Sequence, residues 1–278
     1  QSNILVIGGT GKTGRKVVAG LKRQNQKVRI GSRRNNPAFD WHNPATWSTA
    51  LAGMDKVYIV YYPDLAVPGA LEAIKGLTEA AKKEGVEKAV LLSGKGEQEA
   101  ERCEQVVADS GLDYTLVRAS WFNQNFSESF LMDPILAGHV ALPMPDARIP
   151  FVDTGDIAEV VVKVLLDDAH NGKTYELTGP RAITFEEAVR EIATSAKKEI
   201  KYEAVSLEAY HSMMESAGLP SDYVWLIDYL FREVLSKEEN QALSADVERV
   251  LGRKATDFSE YAGETAKTGV WNPPISVF

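Results

Sequence analysis

The chain predicts an α/β fold, a doubly wound parallel sheet followed by a smaller α+β substrate-binding part, and three observations carry that expectation. Short, continuously apolar runs recur through the first half of the 278 residues, amphipathic stretches separate most of them, and a glycine-rich turn follows the first run. Strands that are apolar along their whole length are buried on both faces, the mark of a parallel sheet between two helical layers.

The strand-like runs fall at residues 4–7, 28–30, 57–61, 89–92 and 114–117. Helices are expected at residues 12–22, 68–83 and 98–109, and in the second of these Leu71, Ile74, Leu77 and Ala81 recur at helical spacing. Residues 37–51 contain Pro37, Asn43 and Pro44 and read as a loop with at most a short helix. After about Ser120 the periodicity changes. A helix spans residues 154–166, a short strand 173–177, a capping-box helix starts at Thr184, a strand covers 201–205, and helices follow from Ser206 and near Tyr223. The division is drawn at residues 1–150 for a nucleotide-binding part and 151–278 for the α+β companion.

A hydrophobic content of 44% and a charged content of 25% are ordinary for a soluble globular chain. The net charge of −8 argues against a broad nucleic-acid or membrane surface. No apolar run is long enough to span a bilayer, and a single cysteine excludes an internal disulfide, so a cytoplasmic protein is expected. His42, His139, His170 and His211 show no ligand spacing, and no metal is expected. Acidic neighbours Glu101 and Glu104 make Cys103 an inert thiol.

The turn after the first strand reads Ile7-Gly-Gly-Thr-Gly-Lys-Thr-Gly14. Gly11, Lys12 and Thr13 match the end of a triphosphate loop, but that loop needs a glycine where Val6 stands. Gly8, Gly11 and Gly14 instead fit the dinucleotide turn of a Rossmann-type sheet. There, glycines let the chain leave the strand sharply, let backbone approach pyrophosphate, and let the helix pack on the sheet. A helix starting at such a turn directs its amides and positive dipole end at the phosphates. The second strand ends Gly31-Ser32-Arg33-Arg34, without the acid that binds ribose hydroxyls in NAD-specific sheets. Two guanidinium groups there suit a 2′-phosphate, with Ser32 as a further donor. NADP(H) is the expected cofactor.

With the glycine turn, Ser-Arg-Arg, Ser93-Gly-Lys-Gly-Glu97, Glu101-Arg-Cys-Glu104 and Arg118-Ala-Ser-Trp-Phe-Asn-Gln-Asn-Phe126 in view, the chain resembles the NmrA-like atypical short-chain dehydrogenase/reductase family. Within it the order of motifs is most similar to the ergot-alkaloid biosynthesis reductases, the festuclavine dehydrogenase-like branch. The resemblance implies that Thr10, Gly11, Lys12 and Thr13 hold pyrophosphate, with Asp40 and Trp41 near the adenine. It further implies Tyr62 and Pro63 beside ribose and pyrophosphate, and Ser93, Gly94, Lys95 and Ser120 beside the nicotinamide.

None of the ten tyrosines has a lysine four residues later, so the pair that protonates an alkoxide in ketone-reducing relatives of this fold is missing. Tyr114 has Arg118 at that spacing, a pair expected to be structural. An electron-poor acceptor, such as an iminium or a quinone, takes hydride without a proton donor at the receiving carbon. The sequence therefore suggests an NADPH-dependent reductase of such a small molecule, with the catalytic residues not identified. A non-catalytic NADP(H)-binding redox sensor is the alternative. Trp121, Phe122, Phe126, Tyr223 and Trp225 are candidates for the substrate pocket, each also readable as core.

Overall fold

The computed structural model describes residues 1–275. Its strands are β1 (Asn3–Ile7), β2 (Lys27–Gly31), β3 (Lys56–Ile59), β4 (Lys88–Gly94), β5 (Asp113–Ala119), β6 (His139–Leu142), β7 (Lys173–Leu177) and β8 (Lys201–Ala204). The chain divides into two units: the first holds residues 1–119, 154–177 and 246–253, and the second holds the segments between and after them.

In the first unit six parallel strands run in the order β2-β1-β3-β4-β5-β7. The order reverses at β1, which pairs with β2 on one side and β3 on the other. Open sheets of this kind bind ligands beyond the carboxyl ends of the strands at such a reversal. Leu5, Ile7, Val57, Ile59 and Leu91 form one face, packed against Trp47, Ile74, Leu77 and Val107 from helices Trp47–Leu51, Ala70–Lys83 and Gln98–Ala108. Strand alternation turns Ile4, Val6 and Tyr58 to the other face, where helices Gly14–Arg23 and Thr154–Leu166 lie together. These two helices meet closely because a Cβ on Gly20 would come within 2.8 Å of Val162 Cγ2.

Two expectations are corrected here. The strand at 173–177 belongs to the main sheet, pairing in parallel with β5 from Thr115↔Lys173 to Ala119↔Leu177. Helix Thr154–Leu166 also belongs to this unit, because Lys56 and Lys88 donate to the carbonyls of Leu165 and Val164 and so cap its negative end. A boundary at 150 therefore does not describe the chain. The polypeptide leaves the sheet unit after Ala119 and re-enters at Thr154, since the open edge of β5 needs a strand whose backbone groups complete its ladder. Residues 37–51 contain only a single 3₁₀ turn, Pro44–Thr46, and the short helix Trp47–Leu51, as their prolines and asparagine suggest.

The second unit contains the two-stranded parallel sheet β6–β8 and a core rich in aromatic rings, including Phe126, Phe151, Phe185, Phe231, Phe258 and Trp271. Helix Phe185–Ala196 begins as expected, with Thr184 Oγ1 accepting from the Glu187 amide at 3.1 Å. Arg181 grips Asp257 through Nε and Nη2, both at 2.7 Å, and Asp257 in turn caps helix Phe258–Lys267. Among the described residues no helix is long and apolar enough to cross a membrane.

Candidate functional site

The glycine turn sits at the carboxyl end of β1. Gly8 has φ +69°, a left-handed conformation that glycine adopts at no steric cost, and its amide donates to Gly31 O at 3.0 Å. The chain then folds back so that the Gly11 amide donates to Gly8 O at 2.8 Å. A Cβ on Gly14 would overlap Gly8 O, and one on Gly9 would lie 2.8 Å from Ile30 Cγ2. The turn thus closes on itself and on β2 with no room for a side chain at Gly9 or Gly14. Thr10 and Gly11 are exposed, Lys12 is half-buried, and Thr13 is buried with its hydroxyl 3.0 Å from Tyr58 OH on β3.

At the end of β2 the Ser32 hydroxyl donates to Asn35 Oδ1 at 2.5 Å and accepts from the Arg34 amide at 3.3 Å. This small turn leaves Arg33 and Arg34 exposed, and among the described residues neither guanidinium meets a carboxylate. Beyond them the chain folds back over the end of β3. Trp41 packs edge-on to Phe39 at 5.0 Å, Trp47 at 5.7 Å and Tyr61 at 5.0 Å, and its indole donates to Val60 O. The Asp40 carboxylate accepts from the His42 amide at 2.9 Å. Tyr62 is 77% exposed and joined to Pro63 by a cis peptide. The expected positions 8–14, 32–34, 40–41 and 62–63 thus lie beyond the ends of β1, β2 and β3.

Ser93 and Lys95 flank the end of β4 and both are buried. Ser93 donates to Glu104 Oε2 at 2.7 Å, and Arg118 on β5 grips the same carboxylate through Nε at 3.0 Å and Nη2 at 2.7 Å. That hydrogen bond holds the Arg118 guanidinium even more firmly protonated than usual. Arg118 is therefore structural, as expected. The Lys95 amide donates to Ala119 O at 2.9 Å, and burial holds its ammonium pKa below the ordinary lysine value, with Glu176 partly offsetting this.

Cys103 is buried with its thiol pushed up to about 11, first by burial and then by Asp64, Glu104 and Glu97. The expected inertness follows, but Asp64 and Glu97 act where Glu101 was expected to. The sequence marked Glu97 only as the end of the Ser93-Gly-Lys-Gly-Glu97 stretch and assigned Asp64 no role. Glu97 is 5% exposed, and burial, then the neighbouring Asp64 carboxyl, raises its pKa well above the carboxylate range. No spacing rule links positions 64 and 97. The nearest signal was Gly94, where a Cβ would overlap Glu97 Oε2.

In the second unit Ser120 is buried. Trp121 is half-buried, with edge-on contacts to Phe130, Phe185 and Phe231, and Tyr223 reaches the same group through Phe130. Phe122 is half-buried beside Val152. Phe126 is a correction: it is fully buried against Phe151 and Phe258, an ordinary core residue with no surface for a substrate. Trp225 is 44% exposed and stacks on Tyr229 instead of joining the ring cluster. A groove of about 640 Å³ lies along helices Ala70–Lys83 and Gln98–Ala108, edged by Lys75, Glu79, Arg102 and Asp109. It runs along helix faces, and none of the expected site residues lines it.

A parallel sheet with a glycine turn at its reversal point defines a dinucleotide-binding α/β protein. The NmrA-like family model matches residues 1–263, and the chain belongs to that family. It is 29% identical over 281 residues to the NAD(P)H azoreductase of Xenophilus azovorans, spanning 93% of this chain and 96% of that protein. It is 28% identical over 285 residues to Prestalk A differentiation protein A of Dictyostelium discoideum, spanning 95% and 93%. Dehydrogenases of the clavine branch are also among its relatives, at lower identity. Among solved structures, the NADPH-dependent quinone oxidoreductase QOR2 of Escherichia coli, complexed with NADPH, superposes with a TM-score of 0.78 at 22% identity, covering 94% of this chain and 99% of that one.

Proposed function

We propose that the chain is an NADPH-dependent reductase of a small, electron-poor acceptor of iminium or quinone type. One observation carries the cofactor assignment: two exposed guanidiniums, Arg33 and Arg34, stand without carboxylate partners among the described residues, beyond the strand next to the glycine turn. The turn itself suits a pyrophosphate, since only glycines satisfy its closure on Gly8 O while Thr10 and Gly11 are exposed beside it. Thr10, Gly11, Lys12 and Thr13 hold the pyrophosphate, and Ser32, Arg33 and Arg34 hold the 2′-phosphate. Asp40 and Trp41 border the adenine, Tyr62 and Pro63 the ribose, and Ser93, Gly94, Lys95 and Ser120 the nicotinamide.

When bound, the nicotinamide ring supplies a hydride. The work of the protein is to hold the acceptor flat against that ring and to exclude water, for which Trp121, Phe122, Tyr223 and Trp225 are the aromatic candidates. An acceptor that is already electrophilic needs no tyrosine–lysine pair, which agrees with the absence of that spacing. The azoreductase and a quinone oxidoreductase among the relatives support a reductase reading.

The test is a fluorescence titration with NADPH and NADH, followed by addition of quinones, azo dyes and cyclic iminium compounds while reduced nicotinamide absorbance is recorded. The expected result is tighter binding of NADPH and its oxidation by one of these classes. Arg33→Asp is expected to weaken NADPH far more than NADH, and equal losses would overturn the NADP assignment. Tight binding with no acceptor in any class would favour a redox sensor.

A further inference from the structure

We propose that the Glu97 and Asp64 carboxyl groups share one proton, and that this proton holds the loop carrying Tyr62 and Pro63 against the end of β4 and Lys95. The proposal rests on the nucleotide-binding reading above and makes Glu97 a positioning residue for the nucleotide.

The geometry points to it in four ways. Glu97 occupies the N-cap position of helix Gln98–Ala108, yet its side chain does not cap the helix. An ionised carboxylate there would be drawn to the first-turn amides and the positive dipole end. Instead the side chain turns inward and is 5% exposed. Its Oε1 is buried without a hydrogen-bond partner, while Oε2 fills the space left by the missing side chain of Gly94.

The carboxyl of Asp64 faces Glu97, and Asp64 Oδ1 accepts from the Ala66 amide at 2.8 Å. Two carboxyl groups hydrogen-bond to each other only while one of them carries a proton. The other ionisable groups facing the pair are Glu99, Glu104 and the thiol of Cys103. None of these supplies positive charge. Arg118, which reaches Glu104, is already engaged by that carboxylate.

Asp64 follows directly on the Tyr62–Pro63 peptide, and Glu97 lies two residues past Lys95. The shared proton thus joins the loop after β3 to the loop after β4. Loss of that proton places two negative charges against each other, one on buried Glu97 and one on half-buried Asp64, and their repulsion separates the loops. An acid whose folded pKa lies above its unfolded one makes the folded state bind more protons between the two values. Stability contributed by the pair is therefore lost as pH rises through that window, and nucleotide affinity is expected to fall with it.

The experiment combines two readouts on the full chain. Carbon-13 carboxyl NMR of glutamate-labelled protein follows Glu97 itself, assigned by comparison with Glu97→Gln. NADPH fluorescence titrations from about pH 6 to about pH 9, spanning the range above an ordinary carboxylate, compare wild type with Glu97→Gln and Glu97→Ala. The expected result is a Glu97 carbon that titrates above the ordinary carboxylate range and a wild-type Kd that rises about tenfold or more across the same window, the change that one pKa unit of linkage produces. Glu97→Gln, whose amide can donate the same hydrogen bond to Asp64, is expected to lose that rise, whereas Glu97→Ala binds weakly throughout. The phosphate of NADPH titrates alike against all three proteins and cancels in the comparison.

Superimposable pH profiles for wild type and Glu97→Gln, or an ordinary carboxylate titration of Glu97, would overturn the proposal. No NADPH binding at any pH would overturn the cofactor reading and the positioning role with it, and the carbon titration would then decide the shared proton alone.

Discussion

The hydroxyl of Thr13, last residue before helix Gly14–Arg23, meets the phenol of Tyr58 in the middle of the sheet at 3.0 Å. Tyr58 is fully buried, and burial raises its phenol pKa far above the ordinary tyrosine value, with the Thr13 hydrogen bond partly offsetting this. The contact ties the end of the glycine turn to β3. Tyr58→Phe removes one partner and leaves the Thr13 hydroxyl buried alone. The expected loss is about 1 kcal/mol of stability, the usual net value of such a bond, read as a lower urea midpoint with an unchanged m-value.

Glu104 is 3% exposed and receives both Arg118 and the Ser93 hydroxyl. Arg118→Met strands that carboxylate without its cation. Removing one member of a buried pair costs about 3–5 kcal/mol, and the partial exposure of Arg118 puts the expectation at the lower end. Urea unfolding measures it. The double variant with Glu104→Gln is expected to recover part of the loss, because the uncompensated charge is gone.

Gly14 marks the tightest point of the turn, where a Cβ would overlap the carbonyl of Gly8. Backbone on both sides leaves nothing flexible to yield. Gly14→Ala is expected to cost about 3 kcal/mol, the upper range for overpacking, and to abolish nucleotide binding. Gly263→Ala, in open space on helix Phe258–Lys267, is the matched control and is expected to leave stability unchanged or slightly raised.

Asp257 is held down to about 2, first by its hydrogen bonds from Arg181 and further by those from Ser259. Its unfolded value is about 3.9. The unfolded chain therefore binds the proton more readily, and stability supplied by this pair is present above pH 4 and lost as pH falls toward 2. Asp257→Asn is expected to lower stability at neutral pH and to flatten that acid limb. Parallel acid limbs for the two proteins in thermal melts would contradict this.

Much of the sheet unit was legible in the residues. Apolar runs identified β1 to β5 within a residue or two, most plainly β1, β3 and β4, whose burial on both faces leaves no other pattern, and the turn glycines are required by backbone closure that sequence spacing reports directly. The membership of β7 was not legible. A five-residue strand carries no mark of which edge it joins, and it reached β5 only after 34 residues (120–153) of the other unit. Aromatic rings misled for a related reason: Phe126 and Trp121 are alike in sequence, and only packing separates the wholly buried ring from the half-buried one. The pairing of Glu97 with Asp64 depends on two loops meeting across adjacent strands, a proximity that one-dimensional spacing does not encode.

The discontinuity of the sheet unit also constrains how the chain comes into being. During synthesis β5 emerges from the ribosome with one edge bare, and the strand that covers it follows only once residue 177 has been made. A nascent or truncated chain ending near residue 150 therefore displays an unpaired row of backbone donors and acceptors, the kind of edge that recruits other strands. Translation through residue 177 is, for this protein, what closes the sheet.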